Sequence, residues 1–232
     1  MKAFGVVVLV ILASGCARRH PIATPPRAPA VTQPPDSSGF LDDYSLLQKG
    51  DATDLHLVYR NADADWRAYD KVLLEPVTLW RSGRKSLDPV PKEDLLRLVS
   101  DFQRAIRTRL GEDFAMVDKP GPGVMRIRVG ITEAQASDPL LDVLTATRGT
   151  GRPHPAGNGA LDPETRRFLA AAAIEGEIRD AQTNVLLAEG IDRRKPDAPP
   201  LTTWAQVDRG FTFWAERTCA RLEARTGRSP AR

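Results

Sequence analysis

The chain has 232 residues, 41 % of them hydrophobic, with 33 Lys+Arg against 30 Asp+Glu, 19 prolines, 17 glycines and two cysteines. This composition excludes a chain disordered throughout and a disulfide scaffold, and its length accommodates one globular domain. A formal charge of +3 lacks the basic excess that holds a phosphate backbone, so nucleic acid is not an expected partner.

Met1-Lys2 is a short positive start, and Ala3 to Ala13 (AFGVVVLVILA) is an unbroken apolar run. It is far shorter than the roughly twenty residues that span a bilayer, so residues 1–15 read as a signal peptide. Leu12-Ala13-Ser14-Gly15-Cys16 resembles the bacterial lipobox, small residues ahead of an obligatory cysteine, with Ala13 where the usual pattern has Leu. Sulfur is required there because it carries the diacylglycerol thioether. The resemblance implies that Cys16 is the lipidated first residue of the mature chain. At about 0.8 kcal/mol per buried methylene, its acyl chains anchor the protein to the membrane without spanning it. Ala17 in place of Asp after the cysteine implies sorting to the periplasmic leaflet of the outer membrane. Cys219 is then left without an intramolecular partner and is expected to be a buried free thiol.

Residues 17–38 (ARRHPIATPPRAPAVTQPPDSS) hold six prolines and almost no large apolar groups. Such a stretch buries too little surface to offset its ordering entropy, so residues 16–38 are expected to form a lipidated, disordered tether. A single globular domain is expected over 39–226, with a short disordered tail at 227–232. Phe40, Leu41, Tyr44 and Leu47 are spaced to close over a core. Lys71 to Trp80 (KVLLEPVTLW) predicts a strand with Pro76 at an edge or bulge. From Lys92 to Leu110 the apolar residues at 95, 99, 102, 106 and 110 predict a helix, with Glu93 and Asp94 at its start and Gly111 after it.

Phe114 to Asp118 predicts a short strand, and Val124 to Glu133, entered through Gly121-Pro122-Gly123, predicts a half-buried one. Residues 137–163 read as a long Gly- and Pro-rich loop. Ala170 to Asp180 and Val185 to Arg193 predict a hairpin about Ala181–Asn184, Asn184 being tolerant of left-handed backbone. Thr203-Trp204-Ala205-Gln206 is a capping-box pattern opening a helix to about Arg225. On that helix Trp204, Val207, Phe211, Trp214, Ala215, Thr218 and Leu222 form one stripe. The expected fold is α+β: a mostly antiparallel sheet of four to five strands with two helices on one face. In fold alone it resembles periplasmic domains of curli-secretion and Tol-type proteins.

Three stretches, GFLDDYSLL at 39–47, NADADWRAYDKVLLEPVTLW at 61–80 and AIEGEIRDAQTNVLLAEGIDRR at 173–194, together resemble the bacterial lipoprotein family known as domain of unknown function 3313. The resemblance runs from about residue 38 to the C-terminal helix and implies no activity.

The sequence contains no G-x-S-x-G, H-E-x-x-H, C-x-x-C or G-x-x-x-x-G-K-[ST], and His20, His56 and His154 lie far apart. Asn61-x-Asp63-x-Asp65 imitates the start of a calcium loop, but Trp66 and Val72 stand where Gly and Glu are needed. Ser82-x-x-Lys85 has the spacing of penicillin-recognising enzymes without their other motifs. No catalytic residue, cofactor or metal site is therefore expected. Arg126 and Arg128, facing Glu175, Glu177 and Arg179 on a neighbouring strand, are expected to form cross-strand ion pairs on a solvated face.

Two function classes stand. The first is a non-enzymatic interaction or structural lipoprotein of the cell envelope, with an envelope protein as partner. The second is a periplasmic hydrolase or small-ligand carrier using carboxylates such as Asp42, Asp43, Glu175 or Glu177, which would have to converge in a pocket. Phe213 bears on the first, because at 100° per residue it falls opposite the apolar stripe of its helix, near Arg209 and Arg217. Either the segment from Phe40 to Tyr59 wraps over that helix and buries it, or it is an exposed anchor for a partner, with Arg209 and Arg217 beside it.

Overall fold

The computed structural model describes residues 37–51, 55–81, 87–133, 159–193 and 199–228. Cys16, nearly all of the tether, Ser82 to Lys85 and most of the expected 137–163 loop lie outside these residues. The elements in chain order are β1 (Gln48–Lys49), β2 (Leu57–Arg60), a 3-10 turn (Trp66–Ala68), β3 (Lys71–Leu74), β4 (Thr78–Trp80), α1 (Lys92–Asp113), β5 (Ala115–Met116), β6 (Val124–Glu133), α2 (Pro163–Ala171), β7 (Ala172–Asp180), β8 (Leu186–Arg193) and α3 (Trp204–Thr226).

The fold is α+β, with one mixed, mostly antiparallel sheet in the order β1-β2-β8-β7-β6-β3-β5. The expectation of four to five strands is corrected to eight, and that of two helices to three, among the described residues. β6 is the spine. Its full length pairs antiparallel with β7, while its other edge takes β3 and then β4, both parallel to it. The run from Lys71 to Trp80 is thus two strands, divided at Glu75–Val77, because Pro76 has no N–H to give a ladder.

α1 runs to Asp113, past the expected stop at Gly111. α2 replaces the end of the expected loop and the first residues of the expected strand. It is capped by Asp162, whose side chain accepts from Glu164 N–H at 2.8 Å, with Pro163 at its first position. At the hairpin, Asn184 takes φ 62° and lets β7 return as β8. At the start of α3 the Gln206 side chain accepts the backbone N–H of Thr203 at 3.1 Å, and Gly227 at φ 72° ends the helix.

The helices share one side of the sheet. Phe102 of α1 stacks on Phe211 of α3 with centroids 4.5 Å apart and meets Trp214 edge-on at 5.2 Å. Leu98, Ile106 and Leu110 continue this stripe onto Val72, Met125, Ile127, Val129 and Ile131 of the sheet. Near their ends the two helices are joined by the Arg109 guanidinium, which bonds both Asp113 and Glu223. Cys219, a free thiol, is fully buried there, and burial pushes its pKa up to about 12. Among the described residues no helix is long and apolar enough to cross a membrane.

Candidate functional site

Alternation along β6, β7 and β8 sends a second set of side chains to the face away from the helices. That face carries Arg126, Arg128, Glu175, Glu177, Arg179 and Glu189, and most of it is not solvated. Glu175, Glu177 and Glu189 are 1 %, 4 % and 3 % exposed. The cover is a strap, residues 38–47, whose Phe40, Leu41 and Tyr44 pack on Ala173, Ile191 and Trp80. Gly130 of β6 makes this approach possible, since a Cβ there would lie 2.7 Å from the Phe40 ring.

Hydrogen bonds tie the strap to the sheet. Tyr44 Oη donates to Glu175 Oε2 at 2.7 Å, and Thr132 Oγ1 donates to Glu175 Oε1 at 3.0 Å. The same Tyr44 oxygen accepts the backbone N–H groups of Gly39 (3.0 Å) and Leu41 (3.2 Å). Burial, with Glu175 adding to it, pushes the Tyr44 pKa up. Arg128 donates through Nε to Glu177 at 2.8 Å and through Nη2 to the Phe40 carbonyl at 2.9 Å, while its guanidinium stands 4.5 Å from the Phe40 ring centre. Arg179 bridges Glu177 (Nε, 3.1 Å) and Asp42 (Nη2, 3.0 Å).

The expected cross-strand pair Arg128–Glu177 is therefore present, but under a lid and not in open solvent. Arg126 instead faces Arg179 in register and reaches Glu75 at 3.5 Å. Of the candidate carboxylates, Asp42, Glu175 and Glu177 are brought together by the strap, while Asp43 accepts the Ser45 N–H at 2.8 Å within its own turn.

Glu189 was not legible as a member of this cluster. A bulge between Ile178 and Arg179 shifts the β7–β8 register and sets Glu189 directly opposite Glu177. Neither Glu189 carboxyl oxygen has a partner among the described residues. Burial, reinforced by the charge of Glu177, pushes its pKa up to about 7. The arrangement can hold or release one proton near neutral pH beneath the strap.

Phe213 lies on the opposite side of the sheet from the strap, on the outer face of α3, and is 57 % exposed. The reading in which Phe40–Tyr59 covers it is corrected: Phe40, Leu41 and Tyr44 pack on the other face of the sheet, and Phe213 is left exposed. The Arg217 guanidinium stands 5.3 Å from the Phe213 ring centre, and Arg209 is exposed on the same face. Asn61 Oδ1 accepts the Asp63 N–H at 3.0 Å, a local turn leading into the 3-10 turn. Among the described residues no group of three or more His, Cys, Asp or Glu is placed to hold a metal ion.

Among solved structures, the chain is similar to a dodecameric PelC variant from Paraburkholderia phytofirmans, at 10 % identity over 74 % of this chain and 96 % of that one, with a TM-score of 0.29. A likeness at that level carries no argument. No curated protein matches. The family model described as protein of unknown function (DUF3313) matches residues 36–218, and the chain belongs to that family.

Proposed function

We propose that the protein is an outer-membrane-anchored periplasmic lipoprotein, held through acyl chains on Cys16, and that its domain is a non-enzymatic interaction module of the cell envelope. The observation that carries this reading is Phe213. A large aromatic side chain left 57 % exposed, with arginines on either side, has the composition of a protein-contact hot spot. The outer-face carboxylates support it from another direction. Glu175 accepts the strap's Tyr44 hydroxyl, and Glu177 holds Arg128 and Arg179, which reach the Phe40 carbonyl and Asp42 of the strap, the segment next to the expected tether. Their geometry serves attachment of the domain, not attack on a substrate.

The test is photocrosslinking in the intact envelope. A benzophenone side chain at position 213 of the full chain is compared with one at position 96 on α1, where Leu96 is 62 % exposed. The expected result is a discrete adduct with one envelope protein from 213 and none from 96. Identical adducts from both positions, or none from either, would count against the reading.

A further inference from the structure

Glu189 is 3 % exposed, and neither of its carboxyl oxygens has a hydrogen-bond partner among the described residues. The groups that face it come from β7, β2 and the strap. On β7, Glu177 stands directly opposite, in a register that sets Cβ atoms about 4.5–5.5 Å apart and makes like charges repel. Glu177 is itself held by Arg128 at 2.8 Å and Arg179 at 3.0 Å. Arg179, which also reaches Glu189 electrostatically, is shared between Glu177 and Asp42. Glu175, the next side chain on that face of β7, is taken by Tyr44 and Thr132. On β2, Tyr59 is the register partner of Glu189 but gives it no hydrogen bond. The strap adds Asp42 and Asp43, both within electrostatic reach.

An anionic Glu189 therefore sits dry among Glu177, Asp42 and Asp43 with one shared guanidinium, whereas the neutral acid lacks only a hydrogen bond. Burial and the Glu177 charge accordingly push its pKa up to about 7. Much of that environment is removable, because Asp42 and Asp43 are strap residues. The apolar cover is the strap's as well: Phe40, Leu41 and Tyr44 cluster with Ile191, the next side chain of β8 on the same face. Lifting residues 38–47 takes both strap charges away and admits water to the carboxyl, while the β7–β8 ladder beneath stays paired.

We propose that the strap is a proton-operated latch: residues 38–47 stay docked while Glu189 carries its proton, and they lift off the sheet as that proton passes to solvent. The docked state binds one proton more than the lifted state. The opening equilibrium therefore rises about tenfold per pH unit above the ordinary carboxylate range and levels off above about pH 7. The bonds from Tyr44 to Glu175 and from Arg128 to the Phe40 carbonyl set how rare opening is. Glu189 sets its dependence on pH. The latch decides whether residues 38–47 belong to the domain or to the segment that precedes it, and it stands whether or not Cys16 is acylated.

The test is residue-resolved amide hydrogen exchange on the full chain between pH 5 and 8, with each rate divided by that of an unstructured peptide at the same pH. Gly39 and Leu41, whose N–H groups are bound by the Tyr44 oxygen, report strap opening. Phe102, in the middle of α1 and fully buried, reports global unfolding. Protection at Gly39 and Leu41 should fall about tenfold per pH unit up to about pH 7 and then level off, and it should stay below that of Phe102 throughout. In Glu189→Gln, which cannot ionise, strap protection should not change with pH. Asp43→Asn removes one strap charge facing Glu189 and should move the levelling-off point to lower pH; it serves as the second variant if Glu189→Gln does not fold. Strap protection independent of pH in wild type, the same pH dependence in Glu189→Gln, or strap amides no less protected than Phe102 would overturn the proposal.

Discussion

Replacing Glu189 by glutamine probes a buried carboxyl whose two oxygens have no hydrogen-bond partner among the described residues. The carboxyl is 3 % exposed, without a partner among the described residues, and opposite Glu177. In the folded chain it keeps its proton up to about pH 7, whereas in the unfolded chain it releases it near the ordinary 4.5. Between those values the folded state binds more protons, so stability falls as pH rises through this window and levels off above it. At about 1.4 kcal/mol per pH unit, the full loss is about 3 kcal/mol. Glu189→Gln has the shape of the protonated side chain and cannot ionise. Urea unfolding should therefore give the same stability for both chains at pH 4.5, and a variant about 3 kcal/mol more stable at pH 8, with unchanged m. Asp192, whose carboxyl burial also pushes up, titrates in both chains and cancels in the difference. Parallel pH curves, or a variant weaker than wild type at pH 8, would show that Glu189 is charged and paired in the fold, and the reasoning would fail.

Tyr44→Phe removes the hydroxyl that donates to Glu175 and receives two strap N–H groups; equilibrium unfolding should show a loss of about 2–3 kcal/mol, and hydrogen exchange should speed up at Gly39 and Leu41. Gly130→Ala drives a Cβ to 2.7 Å from the Phe40 ring, so it should cost about 1–3 kcal/mol by the same measurement, recovered in part by adding Phe40→Leu. Phe213→Ala, by contrast, removes a side chain with little packing to lose, and its unfolding free energy should stay within about 0.5 kcal/mol of wild type.

Much of the framework was readable because local signals agreed with the tertiary result. β6 begins and ends at its expected residues, Val124 and Glu133, since strict alternation of large apolar and polar side chains follows a glycine turn. α3 opens on its expected capping pattern and ends at Thr226, one residue past the expected Arg225. β1 and β2 were missed because Gln48–Lys49 and Leu57–Arg60 are too short to display a period and owe their existence to the edge of β8. α2 was missed although Asp162-Pro163 is a helix start, because glycines and prolines upstream made the region read as loop.

The site was half legible. Arg128 and Glu177 were identifiable as a cross-strand pair. That Glu177 is buried was not, because alternation shows two faces without showing that the chain's own N-terminal segment covers the polar one. Glu189 depended on a one-residue bulge, which nothing in LLAEGIDR announces.

The central claim is that the domain is held to the outer membrane through Cys16, and metabolic labelling with a fatty-acid analogue, followed by membrane fractionation, tests it most directly. Wild type should carry the label and fractionate with the outer membrane, while Cys16→Ser, which offers no thioether sulfur, should carry none. Label retained by Cys16→Ser, or an unlabelled wild type, would contradict the account.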